Sequence, residues 1–169
     1  MSMIRDLRDA VRPSQRKDST SYSSYDATRD PSAVSAVVDC AVYRDGRRVA
    51  CDDTLTPHEA MLQVRRDGGF AWIGLHEPTE AEFAGIAAEF GLHPLAVEDA
   101  VVAHQRPKLE LYEGSLFLTL KTLWYVDEDD AVETGEINLF VGDRFVVSVR
   151  HGAGAGLHEA RLHLEEQEN

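Results

Sequence analysis

Arg106-Pro107 divides the chain into two kinds of apolar pattern. Upstream of it, apolar residues recur at helical spacing on either side of one strand-like run. Downstream, Leu109 to Tyr112, Ser115 to Val126, Glu136 to Val141 and Phe145 to Val149 are rich in β-branched and aromatic residues. Proline has no N–H to give a helix and pushes the preceding residue out of helical dihedrals, so no helix runs through this point. The short downstream connections, at Gly114, at Asp127 to Asp130 and at Gly142-Asp143, suit antiparallel strands. A chain with both patterns must lay helices on a sheet, and the expected fold is α/β: an α/β/α sandwich with a mixed, largely antiparallel sheet.

Local signals upstream give the same division. Asp45-Gly46 is a two-residue hairpin turn between Ala36 to Tyr43 and Arg47 to Cys51. That register sets Cys40 opposite Cys51 on a hydrogen-bonded pair, and the expectation is two unlinked thiols. Thr56-Pro57 opens a helix through Arg66, which Gly68-Gly69 stops. Phe70 to Leu75 reads as a buried strand. Thr79 and Glu82 form a capping box ahead of Phe83, Ile86, Ala87 and Phe90, with Gly91 as the terminator. A short helix follows from Pro94 to about Ala103, broken by Arg106-Pro107.

The charge excludes some partners. Thirty Asp and Glu against 17 Lys and Arg give a formal charge of -13, which argues against a nucleic-acid backbone or an anionic membrane surface and in favour of cations. Residues 1 to about 33 hold 6 basic and 5 acidic residues, so the acidity belongs to the remainder. That N-terminal stretch is polar, Ser-rich and without a period, and is expected to be a disordered tail. No run of about 18 apolar residues is present to span a bilayer, and the N-terminus lacks a secretory segment. With two cysteines in all, the expectation is a soluble chain in a reducing, cytoplasmic setting.

Several apparent motifs fail on spacing. Gly152-Ala-Gly154-Ala-Gly156 after a strand has Leu157 where a dinucleotide fingerprint needs a third spaced glycine. His158 and His163 are five apart and diverge by about 140° around a helix, so one zinc ion cannot take both. No activated nucleophile and no complete ligand set for a catalytic metal stands out, and the chain does not read as an enzyme. Glu98-Asp99, on the short helix after Pro94, is the acidic pair of interest. Adjacent helical carboxylates point about 100° apart, so they cannot clamp one ion together, but each can give a hard oxygen to a hydrated Mg²⁺ shared with a second surface. Taken bare, such a pair is more often a solvated helix surface.

The stretch Phe90-Gly-Leu-His-Pro-Leu-Ala-Val-Glu-Asp-Ala-Val-Val-Ala-His-Gln-Arg-Pro-Lys-Leu-Glu-Leu-Tyr112 resembles the signature of the CorA family of divalent-cation transporters. Three pieces occur in order: Phe-Gly-Leu-His-Pro-Leu, then Glu-Asp, then His-Gln-Arg-Pro-Lys before a strand. The resemblance covers roughly residues 36 to 169 and leaves out the tail. Beyond the tail over 1–33, expected from its composition to be disordered, it implies a cytoplasmic regulatory (funnel) domain over 34–155 and the start of a long stalk helix, cut short, over 156–169. It further implies a homopentamer in a multi-pass inner membrane protein, anchored by helices beyond this sequence. In the family, carboxylates at the acidic pair contribute to divalent-ion sites between subunits. Here those residues are Asp99, the stronger candidate, and Glu98, with Mg²⁺ or Co²⁺ as the ion, held weakly by this chain alone. His104, Gln105, Arg106 and Lys108 are expected to fix the loop between helix and strand and to carry no chemistry. Two alternatives stay open: the corresponding domain of a related zinc transporter, and a stand-alone soluble domain of the same fold.

Overall fold

The computed structural model describes residues 36–49, 55–127, 130–152 and 157–166. The expected tail, Cys51 and the Gly-rich turn between 153 and 156 lie outside these. The hairpin forms as expected: β1 (Val37–Arg44) turns through Asp45 and Gly46, both at positive φ, into β2 (Arg47–Arg48), with Arg44 opposite Arg47. Positive φ at both central residues is the type I′ geometry whose twist matches that of the strands.

Helix α1 (Pro57–Asp67) is opened by Thr56, whose side chain and Glu59 satisfy each other's backbone N–H groups in a full capping box. Gly68 and Gly69 end it at positive φ, and a side chain on Gly69 would run into the Tyr43 carbonyl of β1. Strand β3 (Phe70–His76) follows, then α2 (Glu80–Phe90), capped by Thr79 and Glu82 and ended by left-handed Gly91. Helix α3 (Pro94–Val102) leads into a four-strand meander: β4 (Lys108–Tyr112), β5 (Ser115–Val126), β6 (Ala131–Gly142) and β7 (Phe145–His151). Strand β6 starts five residues before the expected Glu136, because it pairs with the whole length of β5 from Val126↔Ala131 to Ser115↔Gly142. Helix α4 (Leu157–Glu166) ends the described chain.

The seven strands make one open sheet in the order β2-β1-β3-β7-β6-β5-β4. Every pairing is antiparallel except β3 with β7, so the sheet is mixed and largely antiparallel, as the pattern predicts. One face carries Val42, Ala71, Ile73, Leu75, Phe117, Phe140, Val147 and Val149, all buried against α1, α2 and α3. Phe83 from α2 meets Phe140 edge-on at 5.7 Å, and Phe140 packs on Phe117 at 4.8 Å. Burying each such ring contributes about 1.5–3 kcal/mol.

The opposite face is treated differently at its two ends. Near β1, Tyr43 stacks on Phe70 at 5.2 Å, and α4 lies over it: the Tyr43 hydroxyl donates to Glu165 at 2.6 Å and Arg161 pairs with Asp39. Burial and the neighbouring Glu165 carboxylate push the Tyr43 phenol well above its ordinary value. Near β4 the same face exposes Leu109, Leu111, Leu120 and Val141, with Leu111 at 77 %.

Candidate functional site

Helix α3 begins at His93, whose Nδ1 accepts the Leu95 N–H at 3.3 Å, and Pro94 supplies the fixed φ of a first helical residue. Ala96 and Ala100 are buried against the core, small enough to bring the helix close to the sheet. The helix is not ended by Arg106-Pro107. Ala103 and His104 both take positive φ, 58° and 61°, and reverse the chain three residues earlier. Positive φ costs a non-glycine residue on the order of 1–3 kcal/mol, so something must hold it.

A buried polar ladder on the helix-facing side of the sheet does this. Thr119 donates to Asn138 Oδ1 at 2.8 Å, Asn138 Nδ2 donates to Glu136 Oε1 at 2.9 Å, and Lys121 Nζ donates to Glu136 Oε2 at 2.6 Å. The Gln105 N–H also donates to Glu136 Oε2, at 2.9 Å, while His151 Nε2 donates to the Ala100 carbonyl at 2.7 Å. Burial alone raises the Glu136 carboxyl, but its bonds from Lys121, Asn138 and the Gln105 backbone outweigh that and hold it below its usual range. The loop after α3 is thereby pinned to β6 and β7. Gln105 fixes this loop as expected from sequence.

Lys108 ties the helix to the strand. It stands on β4, and the reversed loop brings it alongside α3, where its Nζ lies 2.6 Å from Asp99 Oδ2 and 2.8 Å from Glu110 Oε2. Tyr112 donates to the same Glu110 oxygen at 3.0 Å, and the His93 ring stacks on Tyr112 at 4.1 Å. The ammonium also sits 5.5 Å over the Phe117 ring. Hydrogen bonds to Asp99 and then Glu110 push the Lys108 amine up, against the opposing effect of burial. The bond from Lys108, then that from Tyr112, lowers the Glu110 carboxyl.

The two carboxylates proposed from sequence are thus separated. Asp99 turns toward β4 and is one-quarter exposed, whereas Glu98 points to solvent, between the exposed Leu95 and Val102. Lys108, Glu110 and Tyr112 were not singled out as site residues, yet the alternation Lys-Leu-Glu-Leu-Tyr places the three on one side of a strand. Among the described residues no group of three or more His, Cys, Asp or Glu side chains converges as a ligand set. Hard carboxylate oxygens suit Mg²⁺, which keeps much of its water and needs only one or two carboxylates from a protein. Asp99 and Glu98 each carry such an oxygen, but they point apart and Asp99 already pairs with Lys108.

An open, mixed sheet with helices packed on its buried face defines the module as an α/β domain. Residues 67–169 match the family described as CorA-like Mg²⁺ transporter protein, and the chain belongs to that family. It is 33% identical over 98 residues to the Bacillus subtilis protein YfjQ, named for metal ion transport, a match covering 58% of this chain and 30% of that one. It is 30% identical over 102 residues to the cobalt/magnesium transport protein CorA of Thermotoga maritima, covering 59% of this chain and 28% of the relative. The chain therefore spans less than a third of the length of these two relatives. Its fold is similar to that of the full-length CmaX protein, with a TM-score of 0.57 at 17% identity, over 80% of this chain and 41% of that one. No helix among the described residues is long and apolar enough to cross a membrane.

Proposed function

We propose that this chain is the cytoplasmic, Mg²⁺-sensing regulatory domain of a CorA-like divalent-cation transport channel, with a regulatory and not an enzymatic role. The observation that carries the reading is the placement of Asp99: a partly exposed carboxylate at the edge of the fold, already satisfied by a cationic group. In this reading Asp99, with Glu98 beside it, lends oxygens to an ion shared with a neighbouring subunit of a homopentamer. The transport path and the membrane anchor belong to polypeptide outside these residues. A cation between two acidic faces offsets their repulsion and favours the closed association, and its loss releases it. Mg²⁺ and Co²⁺ are the ions to test first, because a relative is named for both.

The test uses the whole transporter that contains this sequence. Limited proteolysis in millimolar Mg²⁺ is expected to be slower than in chelator for the wild type, and Asp99→Ala is expected to lose most of that difference. Equal Mg²⁺ protection in the variant overturns the assignment of Asp99.

A further inference from the structure

Lys108 is the feature that a simple acidic site does not account for. A cation-binding carboxylate with free oxygens would bind its ion as tightly as its geometry allowed, yet here an ammonium already stands at 2.6 Å. We propose that Lys108 is a built-in competitor for the divalent cation: its ammonium holds Asp99 when the ion is absent and must give way when the ion binds, setting the affinity low. This rests on the reading of Asp99 as a cation ligand.

Three observations support the exchange. First, the ammonium is one and the same for two acceptors, so release of Asp99 leaves it still paired to Glu110 at 2.8 Å. The displaced state is thus not an unpaired charge. Second, the pair is accessible: Lys108 and Asp99 are 28% and 25% exposed, so a hydrated ion can reach the carboxylate. Third, a lysine amine is ordinarily protonated throughout the physiological range, so the competitor stays charged. Being tethered, it is always present beside Asp99, and only the concentration of the divalent ion changes the balance. A +2 ion arriving beside the +1 ammonium meets repulsion, and the ammonium's shift away from Asp99 onto Glu110 lessens it.

The test is a titration of the whole transporter that contains this sequence with MgCl₂ at constant ionic strength, following protection from limited proteolysis around α3 and β4. Lys108→Met and Lys108→Gln are both made, each also in combination with Asp99→Asn, and circular dichroism checks that every variant keeps the wild-type fold. Removing the ammonium is expected to tighten the Mg²⁺ dissociation constant on the order of tenfold, and Asp99→Asn is expected to abolish that gain. If Asp99→Asn weakens binding while both Lys108 variants stay within about twofold of wild type, the competitor role is overturned and Asp99 remains a ligand. If Asp99→Asn changes nothing in either background, the reading of Asp99 fails as well.

Discussion

Lys121 and Lys108 make bonds of the same length, 2.6 Å, to a carboxylate on a neighbouring element, yet the two pairs are built for different ends. Glu136, the partner of Lys121, is only 3% exposed and also receives Asn138 and the Gln105 N–H. Nothing about that pair can exchange without stranding a buried charge. Asp99, the partner of Lys108, is one-quarter exposed, and its lysine has a second acceptor in Glu110. The comparison teaches that burial and the number of further hydrogen bonds, not the lysine–carboxylate contact itself, separate a bond that holds the fold from one that can be traded for an ion.

That contrast can be broken by experiment. The largest effect is expected from Lys121→Met, which leaves the Glu136 carboxylate buried without its cation and should cost about 2–4 kcal/mol in denaturant unfolding. A smaller effect follows from acid. The Glu136 carboxyl is lower in the folded chain than in the unfolded one, so the stability it contributes is present above the unfolded value of about 4.3 and is lost as pH falls through the folded one. Wild type is therefore expected to lose more stability between about pH 5 and 3 than Glu136→Gln, measured by unfolding at each pH. The smallest effect belongs to Lys108→Met without added divalent ion, about 0.5 kcal/mol or less, since the pair is screened by solvent. A Lys108→Met cost equal to that of Lys121→Met would erase the distinction between the two pairs.

Much of the fold was legible because its signals are local. Thr79, Glu82 and Gly91 bound α2, and Asp45-Gly46 sets the hairpin, through bonds and dihedrals that span only a few residues. That Glu98 and Asp99 share a short helix was legible, from Pro94 ahead of them. What lay around it was not. The alternation in Lys108 to Tyr112 says that two faces exist but not which one meets a helix. On β4 the polar side does, while Leu109 and Leu111 face away, the reverse of the usual arrangement. The Glu136 ladder was hidden for a related reason: Thr119, Lys121, Glu136 and Asn138 become neighbours only through the β5–β6 register. The reversal at Ala103 and His104 carries no glycine to announce it, and depends on that ladder to hold it.

The parallel pairing of β3 with β7 has a consequence for how the molecule comes together. Strands β4 to β7 succeed one another as a meander joined by short loops, and β1, β2 and β3 are consecutive in the chain, with α1 between β2 and β3. The two halves meet along a single seam of six residue pairs, from Ala71↔Phe145 to His76↔Arg150. Across it the Trp72 ring nitrogen bonds Ser148, 76 positions further along the chain. Loop closure costs most for contacts of that range, so the middle of the sheet is expected to zip after the two halves have formed. Strand β4, which carries Lys108 and flanks Asp99, lies in the meander half, three strands from the seam, and is expected to take shape before the sheet closes.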